Sequence, residues 1–482
     1  MQRKEKILLL FLIILGLFFY VILSQQYFDS SINPMGIGSD GGEYWDLSES
    51  LLKHKKFSYS SLKYYYLLDR DVLADKDYYN QPISSISRLP GYPIVLAFLR
   101  FFHNNIFVAY VLNYVAYLGV IVYGIFFGYL FLFQKKGVFW LFTVSLIFSP
   151  IYFVWTGVQS DIFASFMIMG FTVHILLIKR TITGRGNIFW AIVYGALAVM
   201  TRPNLFPVVF LLSTVPLLIN PVKKSLWKLN AIVLGCLLLV MCGWMCRNYR
   251  LTGNLVFSTQ GGKALFLNYV YYDIDQSHPL APWKGPARPQ FIDQRINKGL
   301  NFNQAEVQLN NKLKALTLEY LRNHPEEIIP RMWRAYKAFF NNSYYDITDV
   351  IILRNADWSV KKFYLKQGKP IYEDQAVKKS REIAYQFSRG YKILLTASFT
   401  FFPILLIYGF YKGKNDFPWK DIFGVYLSFG ICLFLTAVLT SHASGDRIRM
   451  PFHVFNNFLL WIWFYYIMKS SHFLRGRAAL DY

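Results

Sequence analysis

Long apolar segments separated by short polar loops form the dominant pattern along this chain of 482 residues. A helix needs roughly 20 apolar residues to cross the hydrocarbon core of a bilayer, which is about 30 Å thick, and it satisfies its own backbone hydrogen bonds there. The pattern therefore predicts an all-α polytopic membrane protein with about ten transmembrane helices. The predicted spans, of which the fifth and sixth are short, are 7–23, 106–133, 138–154, 162–178, 188–200, 205–219, 231–245, 393–411, 422–439 and 452–468.

The composition agrees with this class, because 54% of the residues are hydrophobic, 19% are aromatic and only 16% are charged. The net charge of +23 partly reflects basic residues that precede the first span and follow every second span after it. Positive charge is retained on the cytoplasmic side, so we expect both termini in the cytoplasm and a multi-pass protein of the inner (plasma) membrane. These basic loops are expected to contact membrane lipid, and they give no reason to expect nucleic acid as a partner.

Two long segments on the opposite, external side interrupt the spans. They predict an N-terminal transmembrane core at 1–246, which includes a first external loop at 24–105, an external polar segment at 247–389, and C-terminal transmembrane helices at 390–482. Helical apolar spacing appears at 303–322, and residues 94–102 suit a half-buried helix at the membrane surface. The first span is expected to be an uncleaved anchor, since residues 23–26 offer no small-x-small cleavage site.

Polar clusters gather on this external side. They are SDGGEYWD (39–46), SRLPGYP (87–93), QSD (159–161), TRPN (201–204), RNYR (247–250) and SGDRIRMPF (444–452). In the external short loops the basic residues are almost only Arg202, Arg447 and Arg449, each of which lies inside a cluster. Charges beside hydrocarbon are costly, so repeated charges on one face indicate a candidate site.

Asp40 and Glu43 are the candidate catalytic residues. They lie three positions apart at the start of a predicted helix whose apolar face includes Tyr44. One interpretation is a capping box, and the other is that Asp40 acts as a general base; the two can coexist. General base catalysis contributes roughly 10²- to 10⁴-fold to a rate. Asp46 is expected to be solvated or paired with Lys53.

Arginines are the candidate binding residues. Arg88 precedes the Pro-Gly-Tyr-Pro turn at 90–93, where a guanidinium can hold a phosphate through paired, charge-assisted hydrogen bonds or can extend to lipid headgroups. The same alternatives apply to Arg202, Arg247, Arg447 and Arg449. Their convergence on one face favours phosphate binding. Asp161 is expected either to pair with one of these arginines or to contact a polar substrate.

The sequence indicates no metal or other cofactor. The four cysteines lie in predicted spans or, for Cys246, directly after one, without a histidine partner nearby, so they are expected to pack as small apolar residues. External carboxylates are sparse. We therefore expect arginines to bind the substrate directly rather than through a divalent metal, although a divalent metal stays possible.

The chain resembles the GT-C superfamily of membrane glycosyltransferases, in particular the protein-O-mannosyltransferase-like and aminoarabinose-transferase-like branch. The resemblance lies in the order of these features along the chain and in their shared side of the membrane. The resemblance covers nearly the whole chain. It rests on the anchor with an external acidic helix start at 40–52, the basic residue and turn at 88–93, the loop at 150–161, the sites at 202–203 and 247–249, and the arginine-rich loop at 447–451.

The first-loop pattern in that family is commonly Asp-Glu-x-x-Tyr. Asp40 and Tyr44 match it, Gly41 stands in place of the glutamate, and Glu43 supplies a carboxylate two positions later. The resemblance implies that Asp40 acts on the acceptor and that Arg88 binds lipid phosphate.

The implied reaction is transfer of a sugar from a polyprenyl-phosphate donor to a glycan, lipid or protein acceptor on the external face. Arg88, Arg447 and Arg449 would bind the phosphate. The remaining candidate substrate-binding residues are Tyr44, Tyr92, Asp161, Arg202 and Arg247.

Three alternatives stay open at the level of sequence. A transporter or flippase of a lipid-linked anion would also use interfacial arginines, but it is expected to have broken helices and sites open to both faces, whereas the polarity here is one-sided. A lipid-linked glycan polymerase or ligase is the nearest enzymatic alternative. A non-catalytic membrane scaffold would not require converging charges.

Overall fold

The computed structural model describes residues 3–24, 40–60, 81–132, 134–149, 160–181, 185–219, 224–271, 274–333, 393–394, 397–411, 417–440 and 452–478. Its helices, in chain order, are α1 (Arg3–Ser24), α2 (Asp40–His54), α3 (Gly91–Phe102), α4 (Phe107–Leu132), α5 (Lys136–Ile147), α6 (Asp161–Thr181), α7 (Arg185–Thr201), α8 (Phe206–Ile219), α9 (Lys224–Thr252), α10 (Gln260–Phe266), α11 (Ala287–Ile296), α12 (Phe302–Asn323), α13 (Phe402–Tyr411), α14 (Trp419–Thr440) and α15 (His453–Ala478). Within the described ranges the strands are β1 (Ser58–Tyr59) and β2 (Ile83–Ser84), which pair antiparallel.

A helix coincides with each of the ten predicted spans, namely α1, α4 to α9 and α13 to α15. Among the described residues, three helical stretches are long and apolar enough to qualify as membrane spans on their own: Phe107–Leu132, Asp161–Arg180 and Leu226–Thr252. The prediction of an all-α polytopic membrane protein is confirmed.

The bundle buries one large apolar core and leaves other apolar side chains facing outward. Phe142 and Ile168 are fully buried in that core, whereas Phe11 of α1 is 59% exposed and Leu239 of α9 is 73% exposed. Side chains this apolar on the outer surface of a helical bundle suit contact with lipid tails.

Polar contacts join the helix ends that carry the predicted cytoplasmic loops. Lys136 lies 3.1 Å from Glu5 of α1, and Lys179 at the end of α6 lies 2.6 Å from Asp421 at the start of α14. Arg180 donates to the carbonyl oxygen of Leu130 at the end of α4 (3.1 Å). These ends of α1, α4, α5, α6 and α14 therefore lie at one end of the bundle.

A second apolar core lies outside the bundle. It joins Leu47 of α2 and Tyr59 of β1 to Phe266 of α10 and Leu309 and Leu313 of α12. The first external loop and the polar segment after α9 therefore share a core, and the predicted division at 246–247 falls inside α9.

Helix α12 matches the predicted helix at 303–322. Its N-terminus is closed by a capping box in which Asn301 and Gln304 exchange side-chain to backbone hydrogen bonds (2.9 and 3.0 Å). Such reciprocal bonds satisfy backbone donors that the first helical turn leaves unpaired.

Helix α3 is amphipathic, as predicted. It buries Tyr92 and Leu96, while Phe98 and Phe101 are 63% and 73% exposed on the opposite face. Arg100 on the buried face donates to the carbonyl oxygen of Trp45 (2.8 Å) and stacks on its ring at 3.7 Å, which fastens α3 to α2.

Candidate functional site

Arg88 joins the two candidate catalytic carboxylates. Its Nη2 lies 2.5 Å from Oδ1 of Asp40, and its Nε donates to Oε2 of Glu43. The exposed fraction is 7% for Arg88, 9% for Asp40 and 0% for Glu43. Two carboxylates and one guanidinium therefore form a buried cluster with a formal charge of −1, and we call these three residues the acidic cluster.

Local structure explains why these residues meet. Asp40 and Glu43 are three positions apart in the first turn of α2, so they lie on one face of the helix. Arg88 lies just after β2 and just before α3. Both α3 and the antiparallel pair of strands β1 and β2, which we call the hairpin, pack against α2. Arg88 is buried between carboxylates, so the alternative in which its side chain extends to lipid headgroups is excluded.

Hydroxyl groups surround Glu43. The Tyr59 hydroxyl accepts a hydrogen bond from Ser85 Oγ (3.1 Å), lies 3.2 Å from Ser87 Oγ and donates weakly to Glu43 Oε2 (3.5 Å). Burial, and secondarily the charge of Glu43, raises the pKa of Tyr59 well above its ordinary value. Tyr59 therefore stays a neutral hydrogen-bond donor beside the carboxylate.

Arg247, near the C-terminal end of α9, holds the hairpin in place. Its guanidinium donates to the carbonyl oxygens of Ser85 (2.5 Å) and Phe57 (3.0 Å) and lies 4.7 Å from the centroid of the Trp244 ring. This predicted binding residue therefore forms hydrogen bonds to the backbone beside both strands of the hairpin. These bonds fix the segment that carries Arg88.

Tyr44 and Tyr92 connect the acidic cluster to α6. The Tyr44 ring lies 5.4 Å from Cζ of Arg88 and packs edge-on against Tyr92, with 5.1 Å between the ring centroids. The Tyr44 hydroxyl lies 3.0 Å from Oγ of Ser160, immediately before Asp161. Both tyrosines are buried.

Asp161 forms an ion pair with Arg202. The carboxylate begins α6 and is fully buried, and Nη2 of Arg202, just beyond the end of α7, donates to it. Of the two alternatives for Asp161, the structure therefore shows pairing with an arginine.

The candidate residues within the described ranges form one connected set at one end of the bundle. They are Asp40, Glu43, Tyr44, Arg88, Tyr92, Asp161, Arg202 and Arg247. Arg447 and Arg449 lie outside the described residues, and their phosphate-binding role stays a prediction.

The expectation for Asp46 was wrong. It is only 6% exposed and accepts hydrogen bonds from the backbone nitrogen and Oγ of Ser60 (2.7 and 2.6 Å), whereas Lys53 pairs with Glu49 at 2.5 Å. Burial raises the pKa of Asp46, and the bonds from Ser60 partly oppose that shift. Sequence spacing favoured the helical neighbour, but the hairpin brings Ser60 to the carboxylate instead.

Sequence reasoning also missed Tyr59 and Ser160. Tyr59 contacts Glu43 across the first external loop, and Ser160 contacts Tyr44 across 116 positions of sequence. Ser160 lies inside the polar cluster at 159–161, whereas Tyr59 lies in none of the clusters and no local pattern marked it.

In the described part of the chain, one group of at least three possible metal ligands lies within mutual reach: His324, Glu326 and Glu327. It is separate from the acidic cluster, and Glu327 already pairs with Arg331. Within the acidic cluster, Asp40 and Glu43 share an arginine as counterion.

No protein-family model matches the chain, and comparison with curated proteins finds no match. Among solved structures, the chain is similar to ArnT from Cupriavidus metallidurans bound to undecaprenyl phosphate, with 12% identity, coverage of 87% of this chain and 77% of that chain, and a TM-score of 0.37. It is also similar to the apo state of the same protein, with 13% identity, coverage of 87% and 76%, and a TM-score of 0.34.

Proposed function

We propose that the protein transfers a sugar from a polyprenyl-phosphate-linked donor to an acceptor on the external face of the inner (plasma) membrane. The observation that carries this proposal is the buried acidic cluster, in which Asp40 and Glu43 share Arg88 at the junction of the membrane bundle and the second core. The sequence resemblance to GT-C glycosyltransferases supports the same reaction class.

Energetics favour a chemical role for this cluster over a stabilising one. Removing a charged group from water costs several kcal/mol per ion, and apolar residues of similar volume often stabilise a fold at least as well as a buried ion pair. The cluster also has one more carboxylate than it has arginine. A carboxylate that shares its arginine with a second carboxylate is suited to accept a proton.

In the proposed reaction, Asp40 accepts the proton of the acceptor hydroxyl as the acceptor oxygen attacks the anomeric carbon of the sugar. The bond between the anomeric carbon and the phosphate oxygen breaks, and its electron pair remains on the phosphate. The products are the glycosylated acceptor, the polyprenyl phosphate and a protonated Asp40. Glu43 keeps Arg88 in place and is the second candidate acid or base.

The charge of the acidic cluster affects how the leaving phosphate is stabilised. Nε and Nη2 of Arg88 are engaged with carboxylates, so the cluster as a whole does not attract an anion. We propose that Arg447 and Arg449 supply additional positive charge. Their guanidinium groups would stabilise the negative charge that grows on the phosphate as the bond breaks. The acceptor is a glycan, a lipid or a protein.

Deleting the gene and quantifying lipid-linked sugars and cell-envelope glycans by mass spectrometry tests the proposal. We expect one polyprenyl-phosphate sugar to accumulate and one glycosylated product to disappear, and both changes to reverse when the wild-type gene is restored. A transporter would leave the sugar to phosphate bond of its substrate intact, so purified protein in nanodiscs would release no polyprenyl phosphate. Unchanged lipid-linked sugars and glycans after deletion would overturn the proposal.

A further inference from the structure

We propose that Thr201 and Arg202 form a hydrogen-bonding subsite for a hydroxyl group of the sugar on the lipid donor. This inference rests on the proposed function and assigns the sugar to a particular pair of side chains. Thr201 is the last residue of α7, and Arg202 follows it directly.

Both residues carry a buried polar atom that has no hydrogen-bond partner among the described residues. Oγ1 of Thr201 and Nε of Arg202 have no hydrogen-bond partner within the described part of the chain, and Thr201 is only 4% exposed. A buried polar group left unpaired costs about 1–3 kcal/mol. Two such groups on consecutive residues, beside the acidic cluster, indicate that a ligand supplies the missing partner.

The orientation of the subsite is fixed by its neighbours. Nη2 of Arg202 is held by the fully buried Asp161, which sets the direction of the guanidinium plane. Ser160, the residue before Asp161, contacts Tyr44, whose ring lies beside Arg88. The subsite is therefore connected to Arg88 of the acidic cluster through the Arg202–Asp161, Ser160–Tyr44 and Tyr44–Arg88 contacts.

The chemistry of this subsite suits a hydroxylated sugar better than a phosphate. Asp161 and Arg202 cancel each other's charge, so the pair exerts little net attraction on an anion. A sugar hydroxyl can accept from Thr201 Oγ1 and Arg202 Nε and can donate to a carboxylate oxygen. A phosphate has only acceptors and would meet the carboxylate of Asp161 unfavourably.

Gly91 sets the space around Thr201. A side-chain carbon at Gly91 would lie 2.7 Å from Oγ1 of Thr201 and 2.7 Å from the carbonyl oxygen of Met200. Only a residue without a side chain lets the start of α3 approach the end of α7 this closely. The approach places Thr201 against the helix that begins directly after the Arg88 loop.

Binding of two kinds of lipid, one without a sugar and one with a sugar, to Thr201→Val in nanodiscs tests the inference. The probes are farnesyl phosphate and a panel of the same lipid carrying glucose, mannose, galactose or arabinose. Valine keeps the shape of threonine but lacks the hydroxyl, and the unfolding temperature should hold because that hydroxyl has no hydrogen-bond partner among the described residues. We expect affinity for the best-bound glycosylated lipid to fall about 5- to 10-fold, with binding of farnesyl phosphate unchanged.

Two further variants make the test specific. Thr201→Ser retains a hydroxyl and should retain most of the affinity. Ser213→Ala removes another buried hydroxyl that has no described partner, 1% exposed and lining a small cavity with Lys179 at the other end of the bundle, and it should leave both affinities unchanged.

The remaining outcomes are decisive. Equal losses for both lipids in Thr201→Val would assign the hydroxyl to the phosphate and overturn the sugar assignment. Unchanged affinity for both lipids would show that no donor oxygen contacts Thr201, with the proposed function intact. Failure of the wild-type protein to bind either lipid would overturn the proposed function and this inference with it.

Discussion

At the scale of single residues, Arg88 is the counterion that two acidic side chains share. Asp40 and Glu43 are both buried, and each contacts a different nitrogen of the same guanidinium. Removing either acid leaves Arg88 with a partner. Removing Arg88 leaves two buried carboxylates without this counterion.

Arg88→Met is therefore expected to destabilise the protein by about 3–5 kcal/mol, the usual cost of breaking a buried ion pair from one side. Arg88→Lys should lose less, because it retains a charge but lacks the planar fork that reaches both acids. Thermal unfolding in detergent measures the effect, with the exposed Lys312→Met as a control for loss of one positive charge. Equal unfolding temperatures for Arg88→Met and Lys312→Met would contradict the shared-counterion account.

Asp46 makes the stability of the external region depend on pH. Burial raises its pKa in the folded state above the value of about 3.9 expected in an unfolded chain. As pH rises above about 4, the unfolded state releases this proton more readily than the folded state, so the contribution of Asp46 to stability decreases.

Asp46→Asn removes that titration while keeping an oxygen that can accept from Ser60. The unfolding temperature of Asp46→Asn minus that of the wild type should therefore increase between pH 4 and pH 7. Titrations of other groups are common to both proteins and largely cancel in the difference. A difference that stays constant, or that decreases as pH rises, would show that burial does not raise the pKa of Asp46.

The sequence indicated which residue types belong to the site, but not their partners. Charge placed against hydrophobic surroundings singled out Asp40, Arg88 and Arg202, because that combination is unfavourable without a compensating contact. The contact itself, Arg88 with Asp40, spans 48 positions and depends on a hairpin that no local pattern specifies. The same hairpin explains the wrong expectation for Asp46.

At the scale of elements, α3 couples the membrane surface to the acidic cluster. Its outer face exposes Phe98 and Phe101, its inner face carries Arg100 bound to α2, and its first residue, Gly91, touches the end of α7. A movement of α3 in the lipid interface would therefore shift α2 and the Arg88 loop together.

Gly91→Ala should disrupt this junction. The added carbon would lie 2.7 Å from backbone atoms of Met200, which cannot rotate away as the end of a flexible side chain could. We therefore expect the free energy of unfolding to fall by about 1–3 kcal/mol. Gly243→Ala in α9 is the matched control, because nothing lies within 4 Å of a side-chain carbon there. The unfolding temperature should fall for Gly91→Ala and hold or rise slightly for Gly243→Ala. Equal behaviour of the two variants would refute the close approach.

Sequence patterns predicted the long elements well and the short ones poorly. Apolar length and helical periodicity placed a helix at each predicted span and at 303–322, because those signals accumulate over many residues. The strands β1 and β2 have two residues each, too few for alternation to be recognised. The core that joins α2 to α12 also escaped prediction, since its members come from segments separated by six membrane spans.

At the scale of the whole molecule, the polar groups divide between two ends of one helical bundle. Glu5, Lys136, Lys179 and Asp421 meet at one end, and the acidic cluster lies at the other with the second core. The proposed reaction requires the end that carries Asp40 to be external.

Cysteine labelling in intact cells tests this orientation. In a background without the four native cysteines, Lys312→Cys in α12 should react with a membrane-impermeant maleimide, and Gly137→Cys should react only after the inner face is opened. Both positions are exposed in the structure. The reverse order of labelling would place Asp40 in the cytoplasm and remove the external active site.

The most direct test of the central claim is the product formed by Asp40→Asn in cells that lack the native gene. The substitution changes the charge of the acidic cluster from −1 to zero and leaves Arg88 with Glu43, so the variant should accumulate in the membrane like the wild type. Without a proton acceptor, transfer should fall roughly 10²- to 10⁴-fold. Mass spectrometry should then show the accumulated lipid-linked sugar and little glycosylated product, whereas Glu49→Gln at a half-buried position of the same helix should restore the product. Restoration of the product to wild-type levels by Asp40→Asn would contradict the assignment of Asp40 as the catalytic base.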